Sequence, residues 1–208
     1  MLNIITISRQ YGSGGGEIAQ RLSARLGWRL VGQSLVNEIA TRARVSPSVA
    51  AVYDERVDPW LHRMVKALWQ GGFEGAASTV ENTPFDSETM AALTAKLILE
   101  AASAGEAVIL GRGAQCILCH NERAFHVSIY APRQLRIANL RKRLPAGTNI
   151  EGAMEESDRQ RAAYVRRYFN RDWADRRLYH LLLCASVGIE KVVETILCAS
   201  ALAPLARA

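Results

Sequence analysis

The chain has 208 residues, 49% of them hydrophobic and 22% charged, with a net charge of +6. That is enough to bury one full-sized core with an inserted segment, and too ordinary a mixture for a disordered chain or a small disulfide-stapled fold. No apolar run approaches the ~20 residues of a membrane helix, and the opening Met1-Leu2-Asn3-Ile4-Ile5-Thr6-Ile7 lacks a secretory pattern, so the expectation is a cytoplasmic protein whose four cysteines stay reduced.

The first unit reads as strand, glycine turn, helix. Ile4 to Ile7 are apolar and β-branched, Gly12-Ser13-Gly14-Gly15-Gly16 reads as irregular, and Ile18, Leu22, Ala24 and Leu26 recur at helical spacing up to a cap at Gly27. Trp28 to Val31 suits a short second strand. From Ser34 to about Ala104 the pattern is helical, with helices expected over Leu35 to Ala43 and Thr89 to Ala102, broken by loop signals at Ser46-Pro47, Gly71-Gly72 and Asn82-Thr83-Pro84. Ala107 to Leu110 and Ala124 to Tyr130 suit buried parallel strands. Gln134 to Arg143 reads as a basic helix, Met154 to Arg171 as a long charged one, Tyr179 to Cys184 as a last strand and Ile189 to Cys198 as a last helix. Strands alternating with helices imply a parallel sheet covered on both faces.

A run of glycine and serine between a first strand and a first helix suits a cradle for phosphate. Backbone N–H groups can converge there, and a helix N-terminus is electropositive. Gly12, Ser13, Gly14, Gly15, Gly16 and Glu17 are the candidate nucleotide-binding residues; a glycine-rich turn with no ligand is the alternative. The G-x-x-x-x-G-K-[ST] motif is not met. Aligned on Gly15, its lysine falls on Gly16 and its Ser/Thr on Glu17.

The wording of the loop, Ile7-Ser8-Arg9-Gln10-Tyr11-Gly12-Ser13-Gly14-Gly15-Gly16-Glu17-Ile18-Ala19, closely resembles the opening of the cytidylate kinase-like family of P-loop proteins. Val108-Ile109-Leu110-Gly111-Arg112-Gly113-Ala114 resembles that family's strand and Gly-Arg-Gly-Ala turn, and Tyr130-Ala131-Pro132 with Arg136 its next strand and helix start. Asp158 to Tyr164, Asp172-Trp173-Ala174-Asp175 and Tyr179-His180-Leu181 resemble its lid helix and closing strand. The resemblance implies an α/β, three-layer P-loop fold with a five-stranded parallel sheet. It divides the chain into a core of about 1–33 and 105–208, a helical monophosphate-binding insertion of about 34–104 and a basic helical lid of about 143–178. It also implies ATP and Mg²⁺ and a small nucleotide acceptor such as CMP or dCMP. The glycines at Gly16 and Gly32 stand where many members carry a basic residue and an aspartate.

Phosphoryl transfer asks the protein for position and positive charge. Arg112 lies on a glycine-flanked turn at the carboxyl end of an expected core strand, where open α/β sheets place ligands, and by resemblance it contacts the acceptor phosphate. Arg161 with Asp158 reproduces the family's D-x-x-R, which implies an arginine bridging two phosphates and an aspartate orienting it. Arg159 and Arg166, two turns apart on one face, are further candidates for substrate phosphate; a solvated helix laced with ion pairs is the bland reading. With no lysine in the loop, these arginines or Arg9 must supply the missing charge. No metal-ligand set is identified.

Between Arg133 and Arg177 stand 12 of the 26 basic residues against six acidic ones, so that segment carries the whole positive excess. Its interleaved acids and the lack of a reading motif argue against nucleic acid. Cys116-Ile117-Leu118-Cys119-His120 matches C-x-x-C-H, but covalent haem attachment needs an exported chain, and coincidence is the simpler reading. Trp60, Leu61, Met64, Val65, Leu68 and Trp69 form an apolar stripe suited to a core or to a contact within a homodimer. The functional expectation is a nucleoside monophosphate kinase, with a nucleotide-binding sensor of the same fold as its rival.

Overall fold

The structure is a computed structural model, and it describes residues 1–32, 34–43 and 87–202. Five strands form one parallel sheet: β1 (Ile4–Arg9), β2 (Arg29–Val31), β3 (Ala107–Leu110), β4 (Ala124–Tyr130) and β5 (Leu181–Cys184), in the order β2-β3-β1-β4-β5. β1 is central, with Ile4 opposite both Ala107 and Ala124 and Arg9 opposite Ile129. Every turn that leaves its carboxyl end therefore emerges beside those of β3 and β4.

The helices are α1 (Gly15–Leu26), α2 (Ser34–Ala43), α3 (Ser87–Ala104), α4 (Ala114–Ile117), α5 (Arg133–Arg141), α6 (Ile150–Phe169) and α7 (Ile189–Leu202). Alternation along the strands decides how they layer. Ile4, Val31 and Ile109 face a cluster with Leu35 and Ile39 of α2 and Leu97 and Ile98 of α3. Ile5, Ile7, Val108, Val127 and Ile129 face the opposite cluster, with Ile18 and Leu22 of α1 and Val192, Val193 and Ile196 of α7. Both faces are apolar, and burying each such side chain stabilises by about 1.5–3 kcal/mol. Thr6 and His126, polar and buried in the sheet, bond each other at 2.7 Å between Oγ1 and Nδ1. Burial and the stacked ring of His180 push His126 down to about 4, which leaves it neutral at neutral pH.

The expected elements are present with shifted ends. Gly15 and Gly16 are not irregular: they form the first turn of α1, where the amides have no intrahelical partner and glycine costs little. α6 starts a turn earlier than Met154, because the Asn149 side chain caps it by accepting from the Gly152 amide at 3.0 Å, and it ends where Asn170 turns left-handed at φ 50°. β5 starts at Leu181 rather than Tyr179, which closes the preceding 3₁₀ turn (Arg176–Leu178). Within the 34–104 segment, α2 and α3 pack on the sheet as just described. The loop signals at Ser46-Pro47, Gly71-Gly72 and Asn82-Thr83-Pro84 and the Trp60–Trp69 stripe lie outside the described residues. Among the described residues no helix is long and apolar enough to cross a membrane.

Candidate active site

β1 delivers the chain into the glycine loop, which turns on left-handed Gly12 and Gly14 (φ 81° and 86°) into α1. Its outer side is bonded down. Ser13, buried, donates from Oγ to the Gln10 carbonyl at 2.8 Å, Asn139 of α5 donates to the Gly12 carbonyl at 2.9 Å, and Arg136 Nε donates to the Tyr11 carbonyl at 2.7 Å. The inner side ends at the α1 N-terminus, where the N-cap residue is Gly14 and no side-chain cap is made among the described residues. That arrangement leaves the first-turn amides for an anion. A methyl group placed on Gly16 would touch nothing within 4 Å among the described residues, so they leave the position that the motif gives to lysine open. Glu17 is exposed and ion-paired with Arg21 at 2.7 Å.

β3 ends in a second turn, Gly111-Arg112-Gly113, tied to β1 by the Gly111 amide donating to the Ile7 carbonyl at 2.9 Å. All three residues are left-handed, Arg112 at φ 60°. A left-handed arginine is costly, and such strain gathers at functional sites. The turn borders a small cavity with about 20 Å³ of interior room, roughly one water. Arg9, Arg112 and Arg161 line it together with Ser8, Gln115 and Trp173, and no carboxylate stands among its described lining residues. Burial, and then the charge of Arg161, lower the Arg112 pKa, but a guanidinium stays protonated.

α6 brings Arg161 to this point. Asp158, one turn before it, accepts the Tyr11 amide at 2.8 Å, pairs closely with Arg136 and lies 3.4 Å from Arg161 Nη1. Arg161 Nη1 also donates to the Arg9 carbonyl at 3.1 Å, and the guanidinium sits 5.5 Å from the Tyr11 ring centroid, in cation–π range. Its Nε is buried and has no hydrogen-bond acceptor among the described residues. An unsatisfied buried donor is expensive, and an anion oxygen would satisfy it. Behind Arg161, Tyr164, Val165 and Tyr168 pack with Cys116 and anchor the helix.

The loop from Gly12 to Gly16, Arg112, Asp158 and Arg161 therefore gather at the carboxyl ends of β1 and β3, while the exposed Glu17 side chain is turned to Arg21. Arg159 and Arg166 do not join them: both are exposed, and Arg159 is held by Glu156 three residues earlier. Three residues that the sequence marks only as part of the family resemblance, with no role in the site, belong to the neighbourhood. Arg136 is nearly buried and anchors Asp158. Trp173 donates from its indole N–H to Ser8 Oγ at 2.7 Å, and Tyr179 donates from its hydroxyl to the Trp173 carbonyl at 2.8 Å, fixing the segment after α6. The one signal for Arg136 was its place a turn after Pro132, at the start of a helix.

The C-x-x-C-H segment lines a separate pocket of about 240 Å³ with Phe169, Arg171, Asp175, Arg177 and Leu178. Burial pushes the Cys116 thiol up to about 12, above the range of a reactive free thiolate. Among the described residues no group of three His, Cys, Asp or Glu side chains is placed to hold a metal.

A family model described as the cytidylate kinase-like family matches residues 4–187. No curated protein matches the chain. Among solved structures, an uncharacterized protein from Eubacterium ventriosum ATCC 27560 is 19% identical, with 98% of this chain and 100% of that one covered and a TM-score of 0.66. A shikimate kinase from Bacteroides thetaiotaomicron is 15% identical over 96% and 98% of the two chains, at a TM-score of 0.54. A gluconokinase from Sinorhizobium meliloti 1021 is 11% identical over 96% and 91%, at 0.52. At such identities the structural likeness is one of fold.

Proposed function

This chain belongs to the cytidylate kinase-like family, and on that premise we propose that it is a nucleoside monophosphate kinase, moving the γ-phosphoryl group of ATP to CMP, dCMP or a similar small acceptor. One observation carries the reading: Arg9, Arg112 and Arg161, from three separate elements, line one cavity beside an uncapped glycine loop.

The first-turn amides of α1 hold the donor's β- and γ-phosphates, and Arg112 holds the acceptor's phosphate through its planar fork. An acceptor phosphate oxygen attacks the γ-phosphorus. The bond from that phosphorus to the oxygen bridging the β-phosphate breaks, and the electron pair leaves on ADP. An ionised phosphate needs no base to remove a proton, which suits a lining of arginines; a hydroxyl acceptor would need one. Arg161 reaches the transferring group from α6, with its orphan Nε as the donor and Asp158 as its orienting partner. Mg²⁺, when bound with ATP, would supply charge neutralisation at the phosphate oxygens.

The test is a coupled turnover assay with saturating Mg-ATP and CMP, dCMP, UMP, AMP and shikimate-like alcohols in turn. Turnover with a nucleoside monophosphate and none with the alcohols is the expected result. The side chain missing at Gly16 favours a second reading, a nucleotide-binding sensor that has lost transfer. A protein that binds ATP by calorimetry and turns over no acceptor would be that sensor.

A further inference from the structure

We infer that Arg9 is the cation of the donor-phosphate site, filling in space the role that Gly16 leaves empty in sequence. The inference rests on the kinase reading above and says which residue makes it workable.

The glycine loop presents amides, yet its motif position for a lysine has no side chain, and no described residue comes within 4 Å of a Cβ placed there. Among the described lining residues of the adjoining cavity, the cations are Arg9, Arg112 and Arg161. Arg112 belongs to the far turn and Arg161 arrives on α6. Arg9 is the last residue of β1 and leads directly into the loop.

Its side chain crosses the gap. A Cβ added to Gly15 would fall 2.5 Å from Arg9 Cβ and 2.9 Å from its Cγ, so the stem lies flat on the first residue of α1. A Cβ added to Gly111 would fall 1.9 Å from Arg9 Nη1, so the guanidinium lies against the turn that carries Arg112. The two glycines, 96 residues apart in number, are hollowed around one side chain. It runs from the donor cradle to the acceptor arginine, along the path the phosphoryl group takes. A cation there faces the equatorial oxygens of the transferring group, where charge gathers as one P–O bond forms and the other breaks. The Arg161 guanidinium bonds the Arg9 carbonyl at 3.1 Å, so the lid helix docks on the same residue.

A strut between two turns would look similar in a structure without ligand, and the experiment separates the two roles. Arg9→Met keeps the stem and removes the charge; Gly16→Lys puts a lysine into the open motif position; the double variant combines them. Thermal melting reports folding, turnover with Mg-ATP and CMP reports kcat and KM, and calorimetry with inorganic tripolyphosphate and Mg²⁺ reports the bare phosphate site. Expected are a kcat loss of about 100-fold or more in Arg9→Met, tripolyphosphate binding weakened about tenfold, and recovery of at least tenfold in both when Gly16→Lys is added. Loss without recovery in a folded double variant would make Arg9 a strut, and an Arg9→Met protein as active as the parent would overturn the inference outright. A parent that binds tripolyphosphate and turns over nothing ends the kinase reading, while the role of Arg9 is still read from the binding series. A parent that binds neither ends both.

Discussion

The glycine loop and the arginine cavity adjoin at one end of the sheet and are built in opposite ways. The loop is backbone: left-handed glycines, a helix N-terminus without a cap, and no side chain at Gly16. The cavity is side chain: three arginines from β1, the Gly111–Gly113 turn and α6, with no carboxylate in its described lining. A phosphate needs both directional amides and charge, and in many P-loops one short motif supplies the two. Here they are separated along the chain and reunited by the fold. A departure from a motif is thus weak evidence of lost function until the space around it has been inspected.

If charge and cradle work as one site, the largest effect should follow from Arg161. Arg161→Ala should lower kcat with CMP and Mg-ATP by about 10³-fold, with little change in ATP affinity measured by calorimetry. An equal loss of ATP binding and turnover would place Arg161 in ground-state donor binding and blur the division between the two regions.

Asp158 joins the regions, since its carboxylate takes the Tyr11 amide and pairs with Arg136 on the outer side of the loop and lies beside Arg161 on the cavity side. Asp158→Asn keeps the shape and removes the charge, leaving nearly buried Arg136 uncompensated. Breaking such a pair costs about 3 kcal/mol, visible as a lower urea midpoint together with reduced kcat. Reduced kcat at unchanged stability would show that Asp158 orients Arg161 without holding α6 to the loop.

Arg112→Ala should act on one side only. Losing one charge-assisted, bidentate contact costs about 1.5–3 kcal/mol, or about ten- to a hundredfold in acceptor KM, with ATP binding nearly unchanged. If both ligands weaken equally by calorimetry, the turn does not belong to the acceptor side.

The strands, the glycine loop and the Gly-Arg-Gly turn were legible because they are local: apolar runs, small residues between strand and helix, a glycine-flanked arginine. Helix ends were less so, since Asn149 and Asn170 set them by capping and by a left-handed turn that hydrophobic spacing does not encode. Arg136 and Trp173 were legible as residues of the family resemblance and not by what they hold. Their importance lies in partners 22 and 165 positions away, Asp158 and Ser8, and no single-chain pattern carries that distance. Among the arginines of α6, the D-x-x-R resemblance separated Arg161 from Arg159 and Arg166, while nothing in the spacing alone told which of them would face inward.

The smallest effects are expected on the outer face of α6. At about 100° per residue, Arg159 stands roughly 200° around the helix from Arg161, while Arg166, seven residues on from Arg159, returns to within about 20° of it. Arg161 is 12% exposed and points to the cavity; Arg159 is 77% exposed and spends its charge on Glu156. Exposed pairs of this kind contribute about 0–1 kcal/mol and fade with salt. Arg159→Ala and Arg166→Ala should therefore leave kcat and acceptor KM within about twofold of the parent and stability within about 0.5 kcal/mol. A loss of tenfold or more in either would mean that α6 turns its outer face inward when substrate binds. That rotation would break the Asp158 bond to Tyr11, so it would also appear as faster hydrogen exchange at the Tyr11 amide in the ligand complex.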